Sequence, residues 1–253
     1  KKGVVLMKFV IDTHCHTLAS GHAYSTVMEI AREANNKGLE MVAITDHGPK
    51  MQGASNVFHI LNQKVIPETI FGVQILRGVE ANIMDYDGKL DISDEHLKKL
   101  DIVIASLHEV CIESGGIDKN TNAIIKSMEN KNVDIIAHPG NPAFSIDYEK
   151  VVKKAKETGT LIEINNSSFV SSREGSLNNC IEIVRMCKEH DVRITAGSDS
   201  HIAFDVGRFD KVIEVLKSVD MPEHLIMNFS SKRLIEFLKL KGKSRFSTIS
   251  PII

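Results

Sequence analysis

The residues in this chain best suited to chemistry are histidines, and they occur in short motifs at recurring positions. Eleven histidines are present. Six of them lie at or just past the end of a short apolar run, and a seventh follows shortly after the first run. Two acids occupy equivalent positions, and imidazole and carboxylate are the usual ligands of zinc and similar ions. The nine candidate metal ligands are His14, His16, His22, His47, Glu80, His108, His138, Asp199 and His201.

The motif D-T-H-C-H-T places two histidines two residues apart. On a β-strand, His14 and His16 would point to one face together with Asp12, while Thr13 and Cys15 would point to the other. Two imidazoles with this spacing can bind one cation without bending the chain. We expect Asp12 to support the histidines through hydrogen bonds and Cys15 to lie in the core.

A second motif, G-S-D-S-H, repeats this spacing with Asp199 and His201. A lone histidine at a strand end is more often a satisfied polar residue than a ligand. Here T-D-H, E-A-N, S-L-H-E, A-H-P-G and D-S-H stand at successive strand ends, and together they indicate a metal centre. The remaining histidines, His59, His96, His190 and His224, are interpreted as surface or structural residues.

Seven aliphatic or β-branched runs are predicted to be the strands that position these side chains. They are Phe9–Asp12, Met41–Thr45, Gln74–Val79, Ile102–Ser106, Val133–Ala137, Leu161–Ile164 and Val192–Ala196. Segments with helical periodicity follow them: Ser25–Lys37, Ser93–Leu100, Asn122–Asn130, Asp147–Thr158, Leu177–His190 and Asp205–Val219. Three further predictions are a helix over Asn56–Phe71 interrupted near Pro67, a last helix over Glu223–Lys241, and a tail over Ser244–Ile253.

Alternation of strands and helices predicts parallel strands joined by right-handed crossovers, and seven such units favour a closed or nearly closed barrel. Closure would put the seventh strand beside the first. His22, His47 and His201 would then be neighbours, with His108 and His138 opposite and the two acids between. One catalytic zinc uses about three protein ligands and a water. Nine ligands would therefore serve three ions if one carboxylate bridges two of them.

Composition limits the other function classes. The chain has 253 residues, 42% of them hydrophobic, and a formal net charge of -2. This suits one α/β domain over residues 1–253, and it disfavours a general nucleic-acid binder, which would be basic. The apolar runs are too short to span a membrane. Residues 1–7 lack a secretory signal and are interpreted as leader or vector-derived residues, Met7 being a candidate start.

The four cysteines fit neither a zinc ribbon nor a disulfide framework, which predicts a reduced, cytoplasmic protein. Cys111 follows His108 by three residues and is a weak ligand candidate, whereas Cys180 and Cys187 are expected in the core. Asp46 and Glu109 flank candidate ligands. A role in supporting those ligands is left open for both, although a solvent-facing or capping role is the expectation.

The ordered set D-T-H-C-H-T, T-D-H-G, G-V-E-A-N, S-L-H-E, A-H-P-G and G-S-D-S-H resembles the PHP (polymerase and histidinol phosphatase) superfamily, and its spacing is most similar to the YcdX-like phosphatase branch. The resemblance extends from about Phe9 to about Gly207. It implies a distorted seven-stranded (β/α)7 TIM-like barrel that holds three metal ions, usually zinc.

The resemblance also implies how the ligands divide. The first site would use His14, His16, Glu80 and Asp199. The second site would share Glu80 and add His108 and His138. The third site would use His22, His47 and His201. All nine positions carry the expected residue type.

The function expected is hydrolysis of a phosphate monoester by a metal-activated hydroxide at this trinuclear centre. Catalysis would act through the metals bound by His14, His16, Glu80, His138 and Asp199. The partner would be a small phosphorylated molecule, a homo-oligomer is left open, and manganese or iron would suit the same ligands as zinc. Arg173, Arg208 and Lys50 are candidates for steering the phosphate, although surface ion pairs are the more usual role of such residues.

Four alternatives stay open at this point. One is a histidinol-phosphate phosphatase, a special case of the same chemistry. Another is a phosphodiesterase or exonuclease. A third is a metal-dependent amidohydrolase, although S-L-H-E lacks the metal-bridging lysine common in that group. The fourth is a metal-binding scaffold without activity.

Overall fold

A computed structural model describes residues 7–247 of the chain. Within that range eight strands form one sheet. They are β1 (Ile11–Cys15), β2 (Met41–Ile44), β3 (Thr69–Ile70), β4 (Val73–Asn82), β5 (Ile102–Ser106), β6 (Ile135–Ile136), β7 (Leu161–Asn165) and β8 (Ile194–Gly197). Seven of them pair in parallel in the order β1-β2-β4-β5-β6-β7-β8, and β3 pairs antiparallel with β4. Each of the seven predicted runs therefore overlaps one parallel strand, although several strands extend beyond the predicted ends.

Helices connect the parallel strands, as the predicted alternation requires. Over residues 7–247 they are α1 (Val27–Asn36), α2 (Val57–Asn62), α3 (Asp94–Leu97), α4 (Ile117–Met128), α5 (Tyr148–Thr158), α6 (Ser176–Glu189), α7 (Asp210–Ser218), α8 (Ser231–Leu240) and α9 (Ser244–Ser247). Helix α1 begins with a capping box, in which Thr26 and Glu29 satisfy each other's backbone N–H groups. Among these helices, none is long and apolar enough to cross a bilayer.

The sheet curls into a nearly closed barrel, which confirms the predicted fold class. The barrel closes along a seam between β1 and β8. At the upper part of this seam, Asp199 N–H donates to the carbonyl of His14 at 2.9 Å. Lower down, the buried side chain of Asn228 takes the place of a strand partner. Its Nδ2 donates to the carbonyls of Ile11 and Ala196 at 2.9 and 2.8 Å, and its Oδ1 accepts the N–H of Ala196 at 2.7 Å. The last strand thus lies beside the first, as predicted.

The barrel interior changes character along its axis. Its lower half is apolar and is built from Ile11, Met41, Leu76, Ile102, Ile104, Ile135 and Leu161. The segment after α7 covers this end with Met227, Leu234, Phe237, Leu238 and Phe246. A second apolar layer, between the sheet and the surrounding helices, holds most of the remaining core. The polar residues discussed below lie at the carboxyl ends of the strands, opposite the covered end.

Three predicted elements were wrong in part. Helix α2 ends well before Pro67, because Ile66 has the extended backbone favoured before proline, and the strand β3 follows where more helix was expected. The predicted helix over Glu223–Lys241 is two 3-10 turns followed by α8, which starts at a Ser230 cap. The predicted tail begins with helix α9, whose Phe246 is fully buried, and its last six residues lie outside the described range.

Other helix boundaries moved for identifiable reasons. Helix α7 starts at Asp210, five residues later than predicted, because Gly207 has a left-handed backbone with φ of 68° that interrupts the helix. Helix α4 starts at Ile117, five residues earlier than predicted, directly after Gly116, which also has positive φ.

A candidate metal centre at the carboxyl end of the barrel

All nine candidate ligands meet at the carboxyl-terminal mouth of the barrel. Strands β1, β2, β4, β5, β6 and β8, or the residues directly after them, carry eight of the side chains, and His22 lies in the loop after β1. The seven imidazole rings form one continuous cluster in which neighbouring ring centroids are 4.3 to 6.2 Å apart. The sequence prediction of convergence at this end is therefore matched by the geometry.

The carboxylate of Glu80 lies at the centre of this cluster and is fully buried. Its Oε1 is 2.9 Å from Nε2 of His138 and 3.3 Å from Nε2 of His108. Its Oε2 lies within 3.5 Å of ring nitrogens of three more histidines, namely His14, His16 and His47. Burial alone would raise the pKa of Glu80, but the imidazoles of His108 and His14 hold it well below its usual range. Glu80 is therefore an anion that faces two groups of nitrogen ligands, one on each oxygen.

Asp199 is the second carboxylate of the cluster. Its Oδ1 lies 3.2 Å from Nε2 of His16 and 3.7 Å from Nε2 of His14. Its Oδ2 accepts hydrogen bonds from Arg173 Nη1 at 2.9 Å and Asn165 Nδ2 at 3.3 Å. Although burial opposes it, the charges of His14 and Arg173 hold the pKa of Asp199 well below normal. Oδ2 is thus held by Arg173 and Asn165, and Oδ1 faces His14 and His16.

Two of the candidate ligands have strained backbones. Asp199 has φ of 53° and His138 has φ of 33°, in the left-handed region that non-glycine residues rarely adopt. Such conformations cost about 1–3 kcal/mol and persist where the surrounding structure holds them, often at functional sites. Here each one follows directly after a strand and turns its side chain into the cluster.

Hydrogen bonds fix which ring nitrogen of His14 carries the proton. Its Nδ1 is 2.7 Å from Oε1 of the buried carboxylate Glu163. A carboxylate can only accept, so His14 Nδ1–H donates and the Nε2 lone pair points into the cluster.

His16 is fixed in the same way through two further residues. Its Nδ1 is 2.9 Å from Ser20 Oγ, and Ser20 Oγ–H donates to Asp46 Oδ1 at 2.7 Å. Because the Ser20 proton is used on Asp46, Ser20 accepts from His16 Nδ1–H. The Nε2 of His16 is therefore also a lone pair directed at the cluster. Asp46 was expected to face solvent or cap a helix, but it is buried and supports a candidate ligand.

These assignments leave two nitrogen lone pairs facing each other at close range. His14 Nε2 and His16 Nε2 are 3.0 Å apart, and both are buried. Two such lone pairs repel unless a cation, either a proton or a metal ion, lies between them. Consistent with this, although burial lowers the pKa of His14, the carboxylates of Glu163 and Glu80 raise it well above its usual value. This part of the mouth attracts positive charge.

The same pattern recurs at two more histidines. His108 Nδ1 lies 2.7 Å from Asn82 Oδ1, while the Asn82 amide donates to Gly48 and Asp91. His108 Nε2 is thus a lone pair, and it faces the Glu80 carboxylate. His201 Nδ1 contacts the backbone carbonyl of Asp199 at 3.0 Å, which leaves its Nε2 as an acceptor.

Neutral imidazole, the form that binds metals, is favoured at three other positions. Burial, and then the charge of Arg173, lower the pKa of His138 to about 4. Burial and then His47 lower the pKa of His16 well below its usual value, and the same two causes lower that of His22. At neutral pH these rings need release no proton before they bind a metal ion.

The donor set fits divalent metal ions. Three buried polar atoms of the cluster make no hydrogen bond of suitable geometry, although His47 Nδ1 and Glu80 Oε2 lie 2.7 Å apart: His47 Nδ1, Glu80 Oε2 and His108 Nε2. Ligand atoms around a tetrahedral zinc ion lie about 3.3 Å from one another, given Zn–N and Zn–O distances near 2.0–2.1 Å. The measured separations among His14, His16, Glu80 and Asp199 run from 3.0 to 3.7 Å. His14 and His16, together with the carboxylate of either Glu80 or Asp199, are spaced as ligands of one ion would be.

Among the described residues, three groups of three side chains have their potential metal-ligand atoms within 4.8 Å of one another. They are His14, His16 and Glu80; His47, Glu80 and His108; and His16, His47 and His201. They overlap the three expected sites, but His16 and His47 each appear in two groups. The division of the nine ligands among ions stays a prediction.

A β-bulge in β1 changes the expected alternation. The pairing with β2 shifts between Asp12 and Cys15. Thr13 therefore contacts Thr195 across the seam at 3.0 Å, and Asp12 accepts the N–H groups of Ser198 and Gly207, beyond β8. The prediction that Asp12 shares a face with the histidines was wrong, since it reaches His14 only through the backbone N–H. Cys15 packs in the core as expected.

The remaining candidates have clear positions. Cys180 and Cys187 are buried, and burial raises the pKa of Cys111 to about 11, so this thiol is not prepared to bind metal. His59, His96, His190 and His224 lie in helices or turns, and none belongs to the ring cluster. Lys50 is exposed, and its backbone N–H bonds to Asp91.

A cavity of about 700 Å³ opens above the cluster. His22, His47, His108, Asp199 and His201 form part of its lining, together with the predicted phosphate-steering residues Arg173 and Arg208. Arg173 pairs with Asp199, and Arg208 pairs with Asp205 and Asp210, so both take part in ion pairs while lining the cavity. Glu109 also lines it. A volume of this size accommodates a small molecule.

Sequence reasoning missed the residues that orient the ligands. Glu163, Ser20, Asn82 and Asn165 each bond directly to a candidate ligand or to its neighbour. Glu163 had one detectable signal, because it is the polar residue inside the predicted apolar run Leu161–Ile164, and Asn82 stands in the E-A-N motif. Ser20 had none, since its role depends on a 3-10 turn at Leu18–Ser20.

Comparison with known proteins decides the family. The PHP domain family matches residues 12–172. The chain belongs to the PHP domain family. A protein of Acetivibrio thermocellus named probable phosphatase is 57% identical over 235 residues, which cover 93% of this chain and 97% of that protein. A probable phosphatase of Clostridium novyi is 55% identical over 237 residues, covering 94% and 97%.

Two solved structures share the fold. A histidinol phosphate phosphatase from Lactococcus lactis, solved with zinc, L-histidinol and phosphate, superposes with a TM-score of 0.59 at 21% identity, over 87% of this chain and 96% of that one. A putative histidinol phosphatase from Listeria monocytogenes gives a TM-score of 0.53 at 16% identity, over 79% and 98%. The predicted membership of the PHP superfamily is confirmed.

Proposed function

We propose that this protein is a metal-dependent phosphatase that hydrolyses phosphate monoesters at a trinuclear metal centre, with zinc as the metal, and that the chain works as one catalytic domain. The observation that carries the proposal is the pair of buried lone pairs, His14 Nε2 and His16 Nε2, that face each other at 3.0 Å beside two carboxylates. That arrangement is unfavourable without cations and is ordinary with them. The phosphatase names of relatives at 55–57% identity support the reaction class.

The proposed ligands keep the grouping expected from the family resemblance. The first site would use His14, His16, Glu80 and Asp199. The second site would use Glu80, His108 and His138, and the third His22, His47 and His201. Glu80 would bridge, since its two oxygens face different histidines. The zinc bound in the Lactococcus lactis phosphatase supports the choice of metal.

When bound, divalent ions would supply Lewis acidity and lower the pKa of a coordinated water, so that the water could lose a proton and act as the nucleophile toward phosphorus. The protein's own task is to hold the ligands rigidly and to bind and orient the ester. Arg173 and Arg208 line the cavity above the cluster and offer cations to the phosphoryl oxygens. The leaving alcohol would occupy the remainder of the cavity, where Ser167, Ser171 and Asn141 provide neutral polar contacts.

The proposal is tested by replacing His138 with alanine. Its imidazole contacts Glu80 at 2.9 Å, so its loss removes a ligand from the second site. We expect kcat/KM on p-nitrophenyl phosphate, with zinc added, to fall by more than about 100-fold, since even residues that only support ligands typically cost 10- to 100-fold.

The matched control is His224→Ala, which removes a histidine that is 69% exposed and pairs only loosely with Asp191 at 3.5 Å. It should keep wild-type turnover. Equal turnover by both variants and the wild type would refute the proposed function. Assaying histidinol phosphate, other phosphate monoesters and single-stranded DNA in parallel would distinguish a monoesterase from an exonuclease.

A further inference from the structure

We propose that Glu163 is a positioning residue that orients ligands of the first and second metal sites at the same time. This inference rests on the proposed function and adds to it. Glu163 lies in the middle of β7, below the ring cluster, and its side chain is fully buried. It does not lie among the nine candidate ligands, and its two carboxylate oxygens serve different partners.

One oxygen acts on the first site. Glu163 Oε1 accepts the hydrogen bond from His14 Nδ1–H at 2.7 Å. This bond selects the tautomer whose Nε2 faces His16, Glu80 and the metal position, and it fixes the rotation of the ring. A carboxylate in this position also increases the basicity of the opposite nitrogen, which strengthens a metal–histidine bond.

The other oxygen acts on the second site. Glu163 Oε2 accepts the backbone N–H of His138 at 3.0 Å. His138 has the left-handed φ of 33°, a conformation that needs support from its surroundings. The hydrogen bond holds that backbone, and with it the direction in which the imidazole reaches Glu80. Glu163 therefore positions His14 through the side chain and His138 through the main chain.

Asn165 connects this arrangement to a further ligand. Its Nδ2 lies 3.1 Å from Glu163 Oε2 and 3.3 Å from Asp199 Oδ2. Glu163 is thereby linked to two ligands of the first site and one of the second. The third site, formed by His22, His47 and His201, has no direct contact with it among the hydrogen bonds and ion pairs of residues 7–247.

The neighbouring strand leaves room for this carboxylate. A Cβ atom added at Gly197 of β8 would lie 2.0 Å from Glu163 Oε1 and 2.8 Å from the Cβ of His14. Any larger residue there must push the carboxylate off the imidazole. Gly197 is not among the residues with positive φ, so alanine would suit its backbone and the effect would be steric alone. Glycine at this position is explained by the positions of Glu163 and His14 together.

Two variants test the proposal by independent routes. Glu163→Gln keeps the shape but has a single acceptor oxygen, so either His14 Nδ1–H or His138 N–H must face an NH2 group. Gly197→Ala keeps the carboxylate but displaces it, and it also presses on the Cβ of His14, so Glu163→Gln is the decisive variant. The control is Asp134→Asn, which neutralises an equally buried carboxylate at the opposite end of the barrel, where it pairs with Lys243.

The measurement is zinc affinity. Apoprotein is titrated with zinc against a chromogenic chelator, and thermal melts show that each variant is folded. We expect Glu163→Gln and Gly197→Ala to weaken binding of two of the three zinc equivalents by about 10- to 100-fold and to leave the third unchanged. Asp134→Asn should lower the melting temperature and leave all zinc affinities as in the wild type.

The outcomes separate this proposal from the function on which it rests. If folded Glu163→Gln and Gly197→Ala proteins bind every zinc ion with wild-type affinity, the positioning role is overturned. If these variants also hydrolyse p-nitrophenyl phosphate at the wild-type rate, the proposed function still stands. Equal weakening by Asp134→Asn would also overturn it, because the effect would then follow from general destabilisation. A wild-type protein that binds no zinc would overturn both.

Discussion

The two ends of the barrel both bury charged groups, but they neutralise them differently. At the amino-terminal end of the strands, Lys243 Nζ lies 2.6 Å from Asp134 and Arg245 Nη1 lies 2.5 Å from Asp101. At the carboxyl-terminal end, the ion-pair partners of Glu80 among residues 7–247 are all histidines. The amino-terminal end therefore neutralises Asp134 and Asp101 with a lysine and an arginine. At the mouth Arg173 pairs with Asp199, but Glu80 faces histidines.

This comparison shows which feature indicates a metal. Unpartnered buried atoms occur at both ends, since Arg77 Nε, Asp134 Oδ1 and Arg245 Nη2 have no partner at the covered end. Those groups nevertheless belong to side chains with an opposite charge or a hydrogen bond nearby. At the mouth, the groups that face each other are His14 and His16, both acceptors. The metal centre is marked, more than by the unpartnered atoms, by a buried Glu80 whose ion-pair partners among residues 7–247 are histidines, two of which face each other.

The largest effect should come from changing the anion at the mouth. Replacing Glu80 with glutamine removes the charge that faces five histidines while keeping the side-chain size. We expect kcat to fall by about a thousandfold, which corresponds to about 4 kcal/mol of transition-state stabilisation. Steady-state kinetics on an aryl phosphate, together with zinc analysis, measures this. A variant with near-normal kcat would mean that Glu80 does not bridge the ions.

The covered end should respond in stability and not in catalysis. Lys243→Met leaves Asp134 buried without its ion-pair partner, and breaking such a pair costs about 3–5 kcal/mol. Urea unfolding at neutral pH should show this loss, while kcat and zinc content per folded molecule stay unchanged.

The double variant Lys243→Met with Asp134→Asn is the control, because it removes the unpaired charge and should recover part of the stability. A fall in zinc affinity in Lys243→Met at temperatures where it is folded would contradict the separation of the two ends.

A smaller effect is expected where a neutral group supports a ligand. Ser20→Ala removes the hydroxyl that connects His16 Nδ1 to Asp46. The His16 ring would keep its position by packing but lose its fixed orientation, so we expect zinc affinity to weaken by about tenfold. Competition with a chromogenic chelator checks this. Thr26→Ala, which removes an exposed helix cap of α1, is a control of similar size that should leave the affinity unchanged.

The sequence was sufficient for the parallel strands and for the convergence of the ligands, because strand periodicity and barrel closure depend on local patterns and general topology. It could not show the bulge between Asp12 and Cys15, which adds one residue without a clear pattern. Nor could it show that Asn228 bonds to β1 and β8, or that Glu163 meets His14. These contacts join residues 32 to 217 positions apart in the chain, so they follow from tertiary packing and not from local propensity.

The most direct test of the account is elemental analysis of the protein purified without added metal, before and after exhaustive chelation. The account predicts about three equivalents of divalent metal per chain, loss of turnover on p-nitrophenyl phosphate when the metal is removed, and recovery when zinc is restored. A protein that carries no metal and hydrolyses the ester at the same rate after chelation would contradict it.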